Sequence, residues 1–247
     1  MFAQGDFEVL DGLNIPESAK TTVVRQVLVS EADEYMMGEI GRYLAFEYPF
    51  KERSVLSVKR SVTKAAHPEN EEERVYEKSA IFNESDTLTG NAYHKFLELC
   101  DFNLSYEDAF NSAIGSHLME EEYKTVIEKE KALKILQMPI FNEIKSYTLF
   151  KEQPFTCFMP ASFVEENYDG AEEILIQGII DLLAIKDGKA IIIDYKHSGI
   201  ISEQKLIERY RKQLEFYAYA VNKVLKLEVE SCYLVNVNTC KLIKVNF

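Results

Sequence analysis

Apolar residues recur along this chain with two different periods, and the change comes near residue 145. Before it the spacing is helical. Ser30, with Asp33 three positions later, forms a variant of the capping box. Met36, Ile40, Tyr43 and Leu44 then fall on one stripe with Glu47, and Pro49 closes the segment. From His67 to about Asp86 the chain is polar and acidic, beginning Pro68-Glu69-Asn70-Glu71-Glu72-Glu73, which predicts a mobile loop. A helix beginning near Thr87 or Thr89 carries Tyr93, Phe96, Leu97 and Cys100. Ser105 opens another, and a charged helical stretch runs from Glu120 to Gln137 before Pro139.

Beyond residue 145 the runs shorten and turn β-like. Tyr147-Thr148-Leu149-Phe150 leads into Lys151-Glu152-Gln153-Pro154-Phe155, a predicted strand. Ile174 to Ile185 and Ala190 to Lys196 are rich in Ile and Leu and meet across Lys186-Asp187-Gly188-Lys189. Asp-Gly between two apolar runs is a strong hairpin signal. A long helix from about Ser202 to Leu225 follows, then short strands near Glu230–Asn236 and Lys241–Asn246. Helices, three strands, a helix and two strands predict an α/β (α+β) domain over residues 87–247. Residues 1–55 read as a helical connector, and 56–86 as a basic segment (Lys59, Arg60, Lys64) followed by the acidic loop.

Composition narrows the classes. Of 247 residues, 47% are hydrophobic and 28% charged, which is globular and excludes a disordered or collagen-like chain. No apolar run reaches the length of a membrane span, and the N-terminus lacks a signal pattern, so no membrane association is expected. Cys100, Cys157, Cys232 and Cys240 are scattered without a CxxC, which argues against a zinc site or disulfide framework and fits a reducing cytoplasm. A net charge of −13 argues against a nucleic-acid surface spread over the whole protein, though not against a local basic strip. Lys205, Arg209 and Lys212 form such a stripe at i, i+4 and i+7. It is either a solvated helix face or, with Lys59, Arg60 and Lys64, a guide for a phosphate backbone.

The hairpin carries the chemistry. With Asp187 and Gly188 as the central turn residues, cross-strand partners sum to 375, which sets Asp181 opposite Asp194 and Lys196 on the same face. Two carboxylates about 5 Å apart repel by about 3 kcal/mol at an effective dielectric near 20. A shared proton, Lys196 or a bound cation must offset that. The alternative is a surface Asp–Asp–Lys group that solvates one side of the sheet. The flanking Ile174-Leu175-Ile176 and Ile191-Ile192-Ile193 runs speak against it, because they predict strands buried on both faces, where unpaired acids are costly. Hard oxygen ligands suit magnesium or manganese.

Gly178-Ile179-Ile180-Asp181, followed thirteen residues after the aspartate by Asp194-Tyr195-Lys196, resembles the Asp…(Asp/Glu)-X-Lys signature of the PD-(D/E)XK nuclease superfamily. Three further elements are similar, in the same order, to those of its RecB-type branch. Gly90-Asn91-Ala92-Tyr93-His94, with Leu97-Glu98 after it, resembles the upstream helical G-X-X-X-H motif. Lys151-Glu152-Gln153-Pro154-Phe155 resembles the first core strand, and Gln213-Leu214 with Tyr217 the Q-X-X-X-Y motif. Within the branch the likeness is greatest to the nuclease domain of AddA-type helicase–nucleases, and Ser61-Val62-Thr63-Lys64 resembles the stretch that precedes it.

The resemblance implies a restriction-endonuclease-like core, a central mixed sheet flanked by helices with an extra helical N-terminal region. It implies a Mg2+-dependent DNA exonuclease, with Mn2+ as substitute, acting in double-strand-break repair and recombination. His94, Asp181, Asp194 and the Tyr195 carbonyl become metal ligands and Lys196 the catalytic lysine. Gln213 and Tyr217 support the site or touch DNA. Glu152 corresponds to a motif acid that is either functional or a sheet-edge partner, and Glu98 either steadies His94 or is solvated. His197 stands where the family often has Thr or Ser. His67 and His117 have no motif context and read as ordinary residues. The implied partners are DNA, single-stranded or end-unwound, a helicase domain of the same longer chain, and an AddB-like subunit. The cysteine spacing predicts no iron–sulfur cluster, and the lack of a GK[ST] ending predicts no ATP site in this chain. Two rivals stand beside this reading: a stand-alone phage or mobile-element exonuclease, and a catalytically silent module that binds DNA or protein.

Overall fold

A computed structural model of the chain describes residues 59–67, 84–165, 168 and 170–247, so the helix expected between Ser30 and Pro49 and most of the acidic loop lie outside the described residues. Six strands form one mixed sheet: β1 (Lys59–Ser61), β2 (Thr148–Pro160), β3 (Glu173–Lys186), β4 (Lys189–Lys196), β5 (Glu228–Asn236) and β6 (Lys241–Val245). The order is β1-β3-β4-β5-β6, with β2 on the other edge of β3. The helices are α1 (Val62–Ala66), α2 (Glu84–Leu99), α3 (Tyr106–Gly115), α4 (Glu121–Val126), α5 (Lys129–Leu136), α6 (Pro139–Glu143), α7 (Ala161–Val164) and α8 (Glu203–Ala220). The expected α/β class, with a mixed sheet between helices, is what the structure shows. Among the described residues no helix is long and apolar enough to cross a membrane.

The hairpin forms where Asp-Gly predicts it. Asp187 and Gly188 take φ of 50° and 76°, the left-handed pair that a two-residue turn requires. Every β3–β4 pair from Leu182↔Ile193 to Lys186↔Lys189 keeps the expected sum. Strict alternation then splits these strands between two cores. Leu182, Ala184, Ile191, Ile193 and Tyr195 pack with α2, α3, α5 and α6, while Ile180, Leu183, Ala190 and Ile192 pack with α1, α7 and α8. Strands β4 and β5 run parallel, so α8 is the crossover between them.

Local signals explain most boundaries. Ser105 and Ser202 cap α3 and α8, each accepting from the backbone N–H three residues on. Helix α2 starts at Glu84, a turn earlier than Thr87 or Thr89 predicts. The charged stretch from Glu120 to Gln137 is not one helix. It breaks between α4 and α5 at Ile127 and Glu128, which are both extended, because Ile127 leaves the helical path to enter the core. Pro139 does not merely follow a helix but opens one, at the position where its missing N–H costs nothing. The strand predicted around Lys151–Phe155 extends over thirteen residues as β2. The last turn expected of α8 becomes a π-helical turn, Val221–Leu225, closed by Lys226 in the left-handed region. The basic segment supplies β1, which pairs in parallel with β3 at Leu175–Gln177.

Candidate active site

Strand β3 changes partners along one edge, from β1 at residues 175–177 to β4 at residues 182–186. Asp181 lies one position past the last β3–β4 pair. It is not laddered opposite Asp194, as the turn arithmetic alone would have it. Its Oδ2 instead accepts the backbone N–H of Tyr195 at 2.7 Å, so the carboxylate takes the place of the next ladder bond. Asp194 is wholly buried, with Lys196 Nζ 2.7 Å from its Oδ2 and Gln213 Nε2 donating to its Oδ1 at 3.1 Å. The same Gln213 amide bonds the Tyr217 hydroxyl at 2.6 Å, which joins both ends of the Q-X-X-X-Y spacing to one acid.

From the other core, α2 presents His94. Its Nδ1 stands 3.6 Å from Asp181 Oδ2, and its ring meets that of Tyr195 edge-on at 5.7 Å. Gly90, one turn earlier, allows this approach. A Cβ there would lie 3.3 Å from the Cβ of His197, just beyond β4. On β2, Glu152 falls between the pairs Lys151↔Leu182 and Gln153↔Ile180, hence beside Asp181, and its φ of 47° breaks the ladder at that point. A non-glycine residue in the left-handed region is uncommon and gathers at functional sites. His94, Glu152 and Asp181 each offer a ligand atom within 4.8 Å of the others. One imidazole with two carboxylates is a hard-donor set that fits magnesium or manganese. Asp194 is not in that group and is engaged by Gln213 and Lys196, whereas Glu152, expected in a supporting place, is in it.

The charges have clear causes. Burial pushes the Asp194 carboxyl above the ordinary range against the pull of Lys196, with Asp181 adding to the rise. Burial works to lower the Lys196 ammonium, but Asp194 and Asp181 outweigh it and raise its pKa, so it is charged at neutral pH. Glu152 is pushed up to about 7 by burial, then by the neighbouring Asp181 and Glu98. The repulsion expected between the two aspartates is thus offset in this structure by Lys196.

Other candidates fall around this centre. Glu98 lines an open cleft with Asn91, His94, Lys95, Glu120, Tyr123 and Glu152, and its carboxylate pairs with Lys95 at 2.9 Å rather than with His94. Lys151 anchors β2 to the end of α2, donating to the carbonyls of Glu98 and Cys100. Lys205 is exposed, and Lys212 lies 4.6 Å from the Phe163 ring centre and 3.7 Å from Glu215. Arg60 pairs with Glu165, and Lys64 is exposed. His117 is an exposed residue, as expected. Two residues beside Lys196 carry no motif signal in the sequence: Tyr210, and His67, which packs on it.

Comparison with known proteins agrees with this arrangement. The family model described as the PD-(D/E)XK nuclease superfamily matches residues 69–243. The chain is 26% identical over 248 aligned positions to the A subunit of the ATP-dependent helicase/nuclease of Carboxydothermus hydrogenoformans, covering 94% of this chain and 21% of the relative. Against the protein of the same name from Clostridium beijerinckii it is 28% identical, covering 86% of this chain and 19% of the relative. Against that of Oenococcus oeni it is 30% identical, covering 64% and 14%. The chain therefore spans about a fifth, or less, of the length of these curated relatives. A matching family model over most of its length, with the motif aspartates and lysine at the end of one hairpin, makes this chain a member of the PD-(D/E)XK nuclease superfamily.

Proposed function

We propose that this chain is a divalent-metal-dependent deoxyribonuclease that hydrolyses phosphodiester bonds of linear DNA from its ends. The observation that carries the reading is the meeting of His94, Glu152 and Asp181 within 4.8 Å beside a buried Asp194–Lys196 pair at 2.7 Å. His94, Asp181 and Glu152 would hold the cation, with Asp194 and the Tyr195 carbonyl as the remaining family positions. A magnesium or manganese ion bound there supplies Lewis-acid polarisation of a phosphoryl oxygen and a water of lowered pKa. The chain's own groups do the rest. Lys196, charged and partly desolvated, stabilises negative charge that develops on the phosphoryl oxygens. Asp194 holds that ammonium, Gln213 fixes the Asp194 carboxylate, and Tyr217 fixes Gln213. Lys64, Lys205, Arg209 and Lys212 are candidates for steering the DNA backbone, with the weak and salt-sensitive affinity that a net charge of −13 imposes.

The relatives' name supports placing this activity in an AddA/RecB-type helicase–nuclease acting in the cytoplasm on broken ends during recombination. In that setting a helicase region feeds single strands to the site, and the partner is an AddB-like subunit. The test is digestion of end-labelled linear single-stranded DNA with Mg2+ or Mn2+ against EDTA, with Asp194→Ala and Lys196→Ala beside the wild type. Metal-dependent cleavage lost in both variants is the expected result. If neither metal supports cleavage and calorimetry detects no Mn2+ binding, the proposal fails.

A further inference from the structure

One face of α8 turns three residues toward the acid–lysine pair: Tyr210, Gln213 and Tyr217, spaced i, i+3 and i+7. Gln213 and Tyr217 act on Asp194. Tyr210 acts on the lysine. Lys196 Nζ stands 5.0 Å from the centre of the Tyr210 ring, within the range at which an aromatic face attracts a cation. The ring is braced in turn by His67, the residue that ends α1. The two rings meet edge-on, with centroids 5.9 Å apart and planes at 89°. Val62 and Ala65 of α1 are buried in the α8 core, so the brace is set by packing rather than by a free loop.

A lysine stem has four rotatable carbons and loses about 2 kcal/mol of rotamer freedom when held in one place. Asp194 alone is a poor clamp. Asp181 lies close by and also attracts the ammonium, so a lysine held only by charge is free to swing between the two acids. An aromatic face supplies a second direction of attraction without competing for the proton. With the carboxylate on one side and the ring on another, the ammonium keeps a donor for the substrate side. We propose that Tyr210, braced by His67, is a positioning residue that holds the Lys196 ammonium in its working place. This rests on the reading of Lys196 as the catalytic lysine of a nuclease. Only the ring face is needed, so phenylalanine can take the role and leucine cannot.

The test uses the full chain as wild type, Tyr210→Phe, Tyr210→Leu and His67→Ala, with two readouts. On end-labelled linear single-stranded DNA with Mn2+, Tyr210→Leu lowers kcat about tenfold while KM for DNA stays within about twofold, and Tyr210→Phe recovers most of the loss. The second readout needs no activity. Lysines are acylated under EDTA and quantified by mass spectrometry, with Lys186 as internal reference. Lys196 modification rises several-fold in Tyr210→Leu and not in Tyr210→Phe. Equal Lys196 modification in wild type and in folded Tyr210→Leu overturns the proposal, as does a phenylalanine variant as impaired as the leucine one. If Tyr210→Leu does not fold, His67→Ala decides: the unbraced ring gives about a two- to threefold rise, and no rise overturns the proposal. A wild type that fails to cut DNA counts against the nuclease reading, while the modification readout still judges Tyr210.

Discussion

Replacing Lys196 by methionine removes the ammonium from Asp194 while keeping most of the stem. The two charges stand 2.7 Å apart and the carboxylate is wholly buried. At an effective dielectric near 20 their attraction is about 6 kcal/mol, equivalent to roughly four units of carboxyl pKa. Asp194 of the variant therefore keeps its proton through neutral pH. A folded-state carboxyl pKa above the unfolded value means that the folded form binds more protons, so stability falls as pH rises. Below the pH at which wild-type Asp194 ionises, both proteins carry the proton and the variant loses only contacts. Above it, each pH unit costs the variant a further amount of about 1.4 kcal/mol, or about 3 kcal/mol over two units. Urea denaturation under EDTA at pH 5, 6, 7 and 8 measures this directly. The deficit of Lys196→Met should be small at pH 5 and widen steadily, and adding Asp194→Asn should flatten it. A deficit of the same size at pH 5 and pH 8 would refute the idea that the lysine charge is what keeps Asp194 ionised.

Glu152, raised to about 7 by burial and then by Asp181 and Glu98, obeys the same sign. Glu152→Gln should raise the Tm of the metal-free protein at pH 8 and bring no gain at pH 5, as scanning calorimetry would show. The same variant should weaken Mn2+ binding at least tenfold by titration calorimetry, and wild-type binding near pH 7 should release a proton, seen as a dependence of the heat on buffer ionisation enthalpy. Gln213→Leu removes the donor to both Asp194 and Tyr217 at a buried position, so a loss of about 1–3 kcal/mol in urea denaturation is expected. At Gly178 an added Cβ would lie 2.6 Å from Val62 Cγ2 and 2.8 Å from Phe155 Cε1. Gly178→Ala should therefore cost about 1–3 kcal/mol by overpacking, measured in the same way.

How much of this was legible in the sequence depends on the range of each interaction. The β3–β4 hairpin was legible because a two-residue turn fixes its own register, and period-two alternation assigns every side chain to a face. Gln213 and Tyr217 were legible as a pair because helical spacing places them together. Their convergence on Asp194 follows from the crossover, which spacing does not show. Strand β1 left no trace, since Lys59-Arg60-Ser61 has no alternation and pairs with residues more than a hundred positions away. The left-handed backbone at Glu152 is equally silent, because glutamate carries no preference for it and the strand on either side looks regular. The break at Ile127 was hidden by a charged pattern that suits one long helix, and only the pull of Ile127 into the core decides against it. Tyr210 and His67 lie outside the motifs, and their meeting is a tertiary fact.

The place of the site in the sheet has a physical reason. Strand β3 is paired along its whole length with β2 on one edge, but on the other it passes from parallel β1 to antiparallel β4. Residues 178–181 fall in the interval between those partners, and a polar group buried there must find a bond outside the ladder. Asp181 does so by taking the Tyr195 N–H, which fixes the carboxylate at the end of β4, one residue before Lys196 closes that strand. Opposite, the left-handed turn at Glu152 interrupts β2 at the same level, so both edges of β3 release their regular bonding together. A continuous ladder would commit these backbone groups to one another and would leave Asp181 no N–H to accept. The change of partner lets two strands and α2 bring acids and an imidazole to one point, while α8 orders the lysine from the opposite layer. It follows that substitutions restoring regular pairing near Glu152 or Gly178 should disturb the site more than their distance from Lys196 would suggest.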